Sequence, residues 1–334
     1  MEEQIIRLKK DIIAIGRLMW EKELASGLNG NISAKLNDEH ILLTATKTCL
    51  GLLGEKDILL MKADGEILDD GKASTETLMH TAIYKSYPEA KAIIHTHTPY
   101  TNAYFLENDE LLPRIFETKM YLGQVQAVPQ ETPAVTDTQP IINALKNNNI
   151  MVLKRHGVLA MGSDLFDCFL FLQSLEEAVK IDFISRFYKA DKSTSEKPVE
   201  KKLKKPGRKK KYELFSQEQI EEIVRLVNAD KTLKELGSKS NMTMDLAVRL
   251  NENGKLFCFR FDKGKIVEVT KNENAEFLIS ADEKVWRSVF NREIDPFVAT
   301  TQKKMELRGD FAKISKWYAP CSRIFELWQS VPVD

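Results

Sequence analysis

A layered α/β sandwich followed by a smaller α+β unit is the fold class predicted for this 334-residue chain. Three observations predict it. Residues 5–188 alternate helical and strand patterns without a regular βαβ cadence, which favours helices layered on a mixed sheet over a doubly wound parallel fold. Residues 197–211 read KPVEKKLKKPGRKKK, with nine basic residues, one acidic residue, two prolines and almost nothing apolar. Such a run repels itself and cannot bury a core, so it reads as an exposed linker. Beyond it, short strand patterns joined at Asn253-Gly254 and Lys263-Gly264 predict an antiparallel meander. The expected division is residues 1–188, a basic linker over 189–215, and a second unit over 216–334.

Each element follows from local spacing. Apolar residues at helical intervals (Ile5, Leu8, Ile12, Ile15, Met19) predict a helix over 5–23. Residues 31–36 and 40–44 form a hairpin pattern broken at Asn37-Asp38, and 75–84 is helical with Ser74 as its cap. A compact strand follows at 90–97, then a strand pair at 151–155 and 158–161. A long helix over 164–188 carries the stripe Leu165, Phe169, Leu172, Leu175, Val179, Phe183 and Phe187. After the linker come a helix at 217–227 and consecutive strands at 243–250, 256–261, 265–270 and 276–280. A helix at 284–290, a strand at 305–308 and terminal helices complete the chain.

Composition excludes several classes. Hydrophobic residues at 43% and charged residues at 29% exclude disorder of the whole chain. Forty-nine basic and forty-nine acidic residues exclude a uniformly basic coat for nucleic acid. That neutrality is an average: outside residues 197–211, forty basic residues face forty-eight acidic ones. Neither flanking unit reads as a nucleic-acid reader, so the basic run is expected to be a tether and nucleic acid is not an expected partner. No apolar run approaches the roughly 18 residues of a membrane span. The N-terminal 26 residues carry charge in every turn and lack a signal peptide's apolar centre. Four dispersed cysteines without a CxxC pair suit a reducing cytoplasm.

The chemistry is concentrated in five histidines. His95 and His97, in Ile93-Ile94-His95-Thr96-His97, stand at i, i+2 and project to one side of a strand. His156, at the end of another predicted strand, is the natural third member. Three neutral imidazoles with a free position make a catalytic zinc arrangement, and no cysteine lies near in sequence to close a structural site. Spacing alone leaves a packing role for the pair as open as a ligand role. Glu76, early in the helix at 75–84, can act as general acid and base beside a metal-bound oxygen. Ser74 and Thr75, with free amides at that helix N-terminus, form an anion site. His80, one turn after Glu76, reads as a packing or hydrogen-bonding residue.

Five ordered motifs carry a resemblance. Gly30-Asn31-Ile32-Ser33, Thr44-Ala45-Thr46-Lys47, Ala73-Ser74-Thr75-Glu76, His95-Thr96-His97 and Arg155-His156-Gly157 are similar to those of the class II aldolase/adducin family. The resemblance spans residues 5–188 and implies a three-layer α/β/α sandwich in a four-fold symmetric homotetramer, with active sites at subunit contacts. It implies zinc (Zn2+) held by His95, His97 and His156, and Glu76 as the proton-transfer residue. A sugar phosphate's phosphate would lie among Asn31, Thr46, Ser74 and Thr75. Lys47 stands where the family carries glycine, supplying charge to a phosphate or blocking its close approach. The family's catalytic tyrosine has no clear counterpart; Glu117 falls about at its place and Tyr121 is nearby.

Within the family, Glu at position 76 leans towards aldol cleavage of a ketose 1-phosphate such as fuculose 1-phosphate, giving dihydroxyacetone phosphate and an aldehyde. A dehydratase or an epimerase of the same family is the alternative. A non-enzymatic binding or scaffold protein reusing these folds is another, against which the histidines and Glu76 argue. Residues 216–334 resemble the sterol carrier protein type two fold. The resemblance rests on Ala275-Glu276-Phe277-Leu278-Ile279-Ser280, Ile294-Asp295-Pro296-Phe297 and Lys304-Met305-Glu306-Leu307-Arg308-Gly309-Asp310. It implies a hydrophobic ligand enclosed among Phe257, Phe259, Phe277, Val285, Trp286, Phe290 and Phe297.

Overall fold

The computed structural model describes residues 1–190 and 210–334. The chain divides into two compact units, Met1–Glu196 and Lys197–Asp334. Most of the run expected as a basic linker, residues 191–209, lies outside the described residues.

The first unit opens with helix α1 (Glu2–Glu21), strands β1 (Asn31–Lys35), β2 (His40–Thr44) and β3 (Ile58–Lys62), and helix α2 (Thr77–Ser86). Strand β4 (Ala92–Thr96), helix α3 (Pro99–Glu107), the two-residue β5 (Glu110–Leu111), helix α4 (Phe116–Leu122) and strand β6 (Val125–Pro129) follow. Helix α5 (Gln139–Leu145), strands β7 (Ile150–Lys154) and β8 (Gly157–Gly162), and helix α6 (Leu165–Ala190) complete it. The eight strands form one sheet in the order β3-β2-β1-β4-β8-β7-β6-β5. Its pairs are antiparallel except β6 with β7.

Alternation along the strands sends side chains to two cores. Ile32, Ala34, Ala92 and Ile94 meet α1 and α6 on one face. Ile41, Leu43, Ile93 and Leu159 meet α2 and α5 on the other. This is the expected three-layer sandwich. The helix expected from Thr75 with Ser74 as cap starts later, at Thr77, with Glu76 at its N-cap. Ser74 misleads because its hydroxyl does accept an amide, that of Glu76 at 3.2 Å, but within a turn that precedes the helix.

The second unit comprises helices α7 (Gln217–Ala229) and α8 (Lys231–Lys239), and strands β9 (Thr243–Leu250), β10 (Leu256–Asp262), β11 (Lys265–Thr270) and β12 (Phe277–Ala281). Helices α9 (Glu283–Phe290) and α10 (Pro296–Thr301), strand β13 (Glu306–Arg308), and helices α11 (Phe311–Lys316) and α12 (Tyr318–Trp328) follow. The sheet order is β11-β10-β9-β12-β13. The meander therefore ends at β11, and β12 crosses over to pair in parallel with β9. Burial explains the crossing. Every residue of β12 is buried whereas β11 is mostly exposed, so β12 needs neighbours on both sides and β11 suits an edge. The core of this unit starts before residue 216: Leu214 and Phe215 are buried, and Tyr212 bridges to Val333.

Candidate metal centre

His95 is the penultimate residue of β4, on the face that carries Ile93, and His97 lies just past the strand's last residue, Thr96. His156 sits in the turn between β7 and β8, where Arg155 takes a left-handed φ of 65°. The three rings converge, with centroids 4.8–4.9 Å apart, and one nitrogen from each lies within 4.8 Å of the others. Their environment would suit them as ligands. His95 Nδ1–H donates to the Val158 carbonyl at 3.0 Å, which turns its Nε2 lone pair inward. That Nε2 faces His97 Nε2 at 3.0 Å, a contact that needs a proton or a cation between the two lone pairs. His156 Nε2 is buried without a hydrogen-bond partner among the described residues.

Burial pushes all three imidazoles towards the neutral form that binds metal, His97 down to about 4. A Cβ at Gly157 would lie 2.5 Å from the Thr96 carbonyl, 2.7 Å from His97 Cδ2 and 2.8 Å from His95 Cε1. Glycine is thus what lets the turn reach the rings. An orphan lone pair, a facing imidazole pair and this close-fitting turn suit a divalent ion with nitrogen ligands, zinc among them.

Glu76 stands at the rim, 3% exposed. Its Oε1 is 3.6 Å from His156 Nε2, and its Oε2 accepts the Val135 amide at 3.3 Å. This is not an ion pair. Burial raises the carboxyl and lowers the imidazole, and neither shift is countered by the other group. The result is a carboxyl able to hold or release a proton beside the imidazole cluster.

The expected phosphate residues gather from two sides. Asn31 is the cross-strand partner of His95, so its side chain leaves the sheet on the same face. The Thr46 amide donates to the Lys72 carbonyl at 2.9 Å, and Ala45 bridges Ala73, which lays the Thr44–Lys47 segment beside the segment that leads to Ser74 and Thr75. Lys47 holds a φ of 61° with an exposed side chain, so lysine here keeps a backbone shape natural to glycine. Two amides expected to be free at this helix start are committed: Glu76 donates to the Ser74 hydroxyl and Thr77 to the Ser74 carbonyl. Tyr121 packs its ring on Phe171, 5.0 Å between centroids, and belongs to the core.

Three features escape the sequence reading. A cavity of about 800 Å3 opens at His97 and His156, lined also by residues 129–133, Lys154 and Arg155. Arg155 makes no hydrogen bond or ion pair among the described residues. Glu176, buried in α6, accepts the amides of Tyr100 and Thr101 and the Thr101 hydroxyl, capping the helix that starts just past His97. It falls on the apolar stripe of α6, between Leu172 and Val179, and a charge on such a stripe is a signal that could have found it. His80 joins Asn31, Ser33 and Tyr84 in a buried polar chain.

In the second unit, Phe257, Phe259, Phe277, Trp286 and Phe290 contribute to the core itself, with Trp286 stacked on Phe290 at 6.0 Å. No helix among the described residues is long and apolar enough to cross a membrane.

Comparison with known proteins places this geometry. The model of the class II aldolase and adducin N-terminal domain matches residues 10–183. The 3-oxo-tetronate 4-phosphate decarboxylase of Haemophilus influenzae is 31% identical over 181 residues, covering 52% of this chain and 86% of that protein. The L-fuculose phosphate aldolase of Methanocaldococcus jannaschii is 32% identical over 182 residues, covering 54% and 98%. The crystal structure of YgbL from Escherichia coli is similar with a TM-score of 0.52 at 29% identity, covering 55% of this chain and 91% of that one. That of L-fuculose-1-phosphate aldolase from Thermus thermophilus gives 0.51 at 24%, covering 55% and 97%, a likeness of fold. Through residues 10–183, this chain belongs to the class II aldolase and adducin N-terminal domain family.

Proposed function

We propose that the first unit is a zinc-dependent aldehyde-lyase, cleaving a ketose 1-phosphate such as fuculose 1-phosphate to dihydroxyacetone phosphate and an aldehyde. The observation that carries this reading is the convergence of three imidazoles with a buried carboxyl 3.6 Å from one of them. His95, His97 and His156 would hold the metal, which supplies Lewis-acid stabilisation of the negative charge developed on substrate oxygens. Glu76 moves the proton: burial raises its proton affinity, which suits Oε1 to take a proton up and return it. Asn31, Thr46, Ser74 and Thr75 bind the phosphate and hold the reacting carbons against Glu76, with Lys47 adding charge from the loop.

Metal analysis paired with a phosphosugar panel tests the reading. Wild type should release dihydroxyacetone phosphate, and Glu76→Gln should lower turnover by about 10²–10⁴-fold with the metal still bound. Activity retained after metal removal would refute it.

A second reading has its own observation. Arg155, without a partner among the described residues and lining the cavity beside His156, offers a fork for a substrate carboxylate. That would suit decarboxylation of a phosphorylated 3-oxo acid, scored in the same panel as CO2 release. The assembly is proposed to be a four-fold homotetramer and the location cytoplasmic. The second unit is proposed to be a sterol-carrier-like module for a hydrophobic ligand, supported by its motifs, and displacement of a fluorescent fatty acid tests it.

A further inference from the structure

His80, on α2, is fully buried, and so is Ser33 on β1. Tyr84, one turn beyond His80, is 4% exposed. The Tyr84 hydroxyl lies 2.9 Å from Ser33 Oγ, Ser33 Oγ lies 2.7 Å from His80 Nδ1, and His80 Nε2 lies 2.6 Å from Asn31 Oδ1. The proton direction along this chain is determined. Ser33 Oγ is the one partner of the Tyr84 hydroxyl among the described residues, and a buried phenol whose proton finds no acceptor pays roughly the 1–3 kcal/mol desolvation penalty of an unmade bond. Tyr84 therefore donates to Ser33, and Ser33 spends its single proton on His80 Nδ1. Burial keeps the imidazole neutral, its pKa pushed down to about 3, so the ring proton sits on Nε2. Nε2–H then donates to Asn31 Oδ1, and the amide nitrogen of Asn31 points the other way. That nitrogen has no partner among the described residues.

We propose that Tyr84, Ser33 and His80 are positioning residues that lock the Asn31 side chain with its NH2 group towards the site, so that this position accepts a phosphate oxygen and rejects a hydrogen-bond donor. The inference rests on the reading of Asn31 as a phosphate residue. It adds why an asparagine, whose amide otherwise turns freely, can discriminate an oxyanion. No proton is transferred along the chain; its contribution is polarity. Its three links join residues 47 to 51 positions apart, so they tie α2, which begins beside Glu76, to the strand that carries Asn31.

Two measurements on the full-length protein test the proposal. Selective 15N-histidine labelling, practicable with five histidines, reports the tautomer of His80, assigned by the signal lost in His80→Gln. The Nε2–H tautomer is expected, and the Nδ1–H tautomer overturns the proposal. Binding of inorganic phosphate is then measured by calorimetry for wild type, Asn31→Asp, His80→Phe and His80→Gln. Asn31→Asp should abolish binding. His80→Phe should weaken it roughly three- to tenfold, about the worth of one misoriented hydrogen bond. His80→Gln, which still offers an N–H to Asn31, should recover most of the loss. If wild type fails to bind phosphate, or Asn31→Asp binds as well as wild type, the phosphate reading of Asn31 falls and takes this proposal with it. If Asn31→Asp loses binding while a folded His80→Phe matches wild type, the positioning chain alone is refuted. Should His80→Phe not fold, the wild-type tautomer still decides.

Discussion

Glu176→Gln is the substitution whose cost the structure specifies most closely. Thr98 occupies the N-cap of α3, yet its hydroxyl is buried and unpartnered among the described residues. The first amides of that helix are instead satisfied from α6. Glu176 Oε1 accepts Tyr100 N–H at 3.0 Å, and Oε2 accepts Thr101 N–H at 2.9 Å and the Thr101 hydroxyl at 2.7 Å. Glutamine offers one oxygen. Its best placement keeps both Thr101 bonds and sets an NH2 group against Tyr100 N–H, leaving that buried amide unpaired at about 1–3 kcal/mol. Loss of negative charge at a helix N-terminus adds about 0.3–1 kcal/mol. The expected destabilisation is thus about 1–4 kcal/mol. Thr101→Val, which removes only the hydroxyl bond, should cost about 1–2 kcal/mol. Urea unfolding of the full chain measures both, compared at unchanged m-value. Because α3 starts two residues after His97, Glu176→Gln should also lower metal occupancy. A Glu176→Gln protein within about 0.5 kcal/mol of wild type, on the order of an ordinary surface change, would show that Glu176 does not cap this helix.

Gly157→Ala places a methyl group 2.5–2.8 Å from the Thr96 carbonyl and two imidazoles, so metal affinity should fall about 10–100-fold, read by competition with a chelating dye. Unchanged affinity would mean that the turn is looser than the structure shows. Stability should depend on pH through His80. The folded protein takes up its proton only near pH 3, and the unfolded chain near 6.5, so this contribution is whole above 6.5 and declines as pH falls towards 3. His80→Gln should flatten the decline by up to about 1.4 kcal/mol per pH unit, seen in urea midpoints between about pH 6.5 and 4; an unchanged slope would exclude His80 as the source. Trp286→Ala removes a buried indole that donates to the Arg249 carbonyl at 3.0 Å. It should destabilise the second unit by about 3–5 kcal/mol, and a shift below about 1 kcal/mol would contradict its place in that core.

The histidine cluster was legible because a strand has a strict period of two. Once residues 90–97 read as a strand, His95 and His97 had to share a side, whatever the strand paired with. His156 was legible from its place at the end of a predicted strand and, more firmly, from its place in an ordered set of motifs. The region between the histidines was not legible. Between residues 99 and 145 lie helices of seven to nine residues and strands of two and five, too short to show a clear period. Their place is set by what covers the sheet, not by their own pattern. The crossover of β12 was visible in principle. Phe277-Leu278-Ile279 is apolar on both faces, the mark of a central strand, but the hairpin turns before it suggested one more edge of a meander.

What periodicity cannot supply is the identity of a partner far along the chain. Glu176 reaches residues 75 and 76 positions away, and His80 reaches across 47 and 49. Both would be costly if left unpaired in an apolar layer, so their presence there already implies an obligation to a distant donor or acceptor. The sequence can state the obligation without naming who meets it. Gln219 gives the contrasting case. It is fully buried, but it follows Ser216 at the spacing of a capping box, so its partner is local and was readable. Ser216 Oγ accepts the Gln219 amide at 3.2 Å, and Gln219 Oε1 accepts the amide of Phe215 at 2.6 Å. A polar residue on an apolar surface with such a local partner fixes a helix end. One without it, like Glu176 or His80, ties two elements together, and in this chain both such ties end beside the histidine cluster.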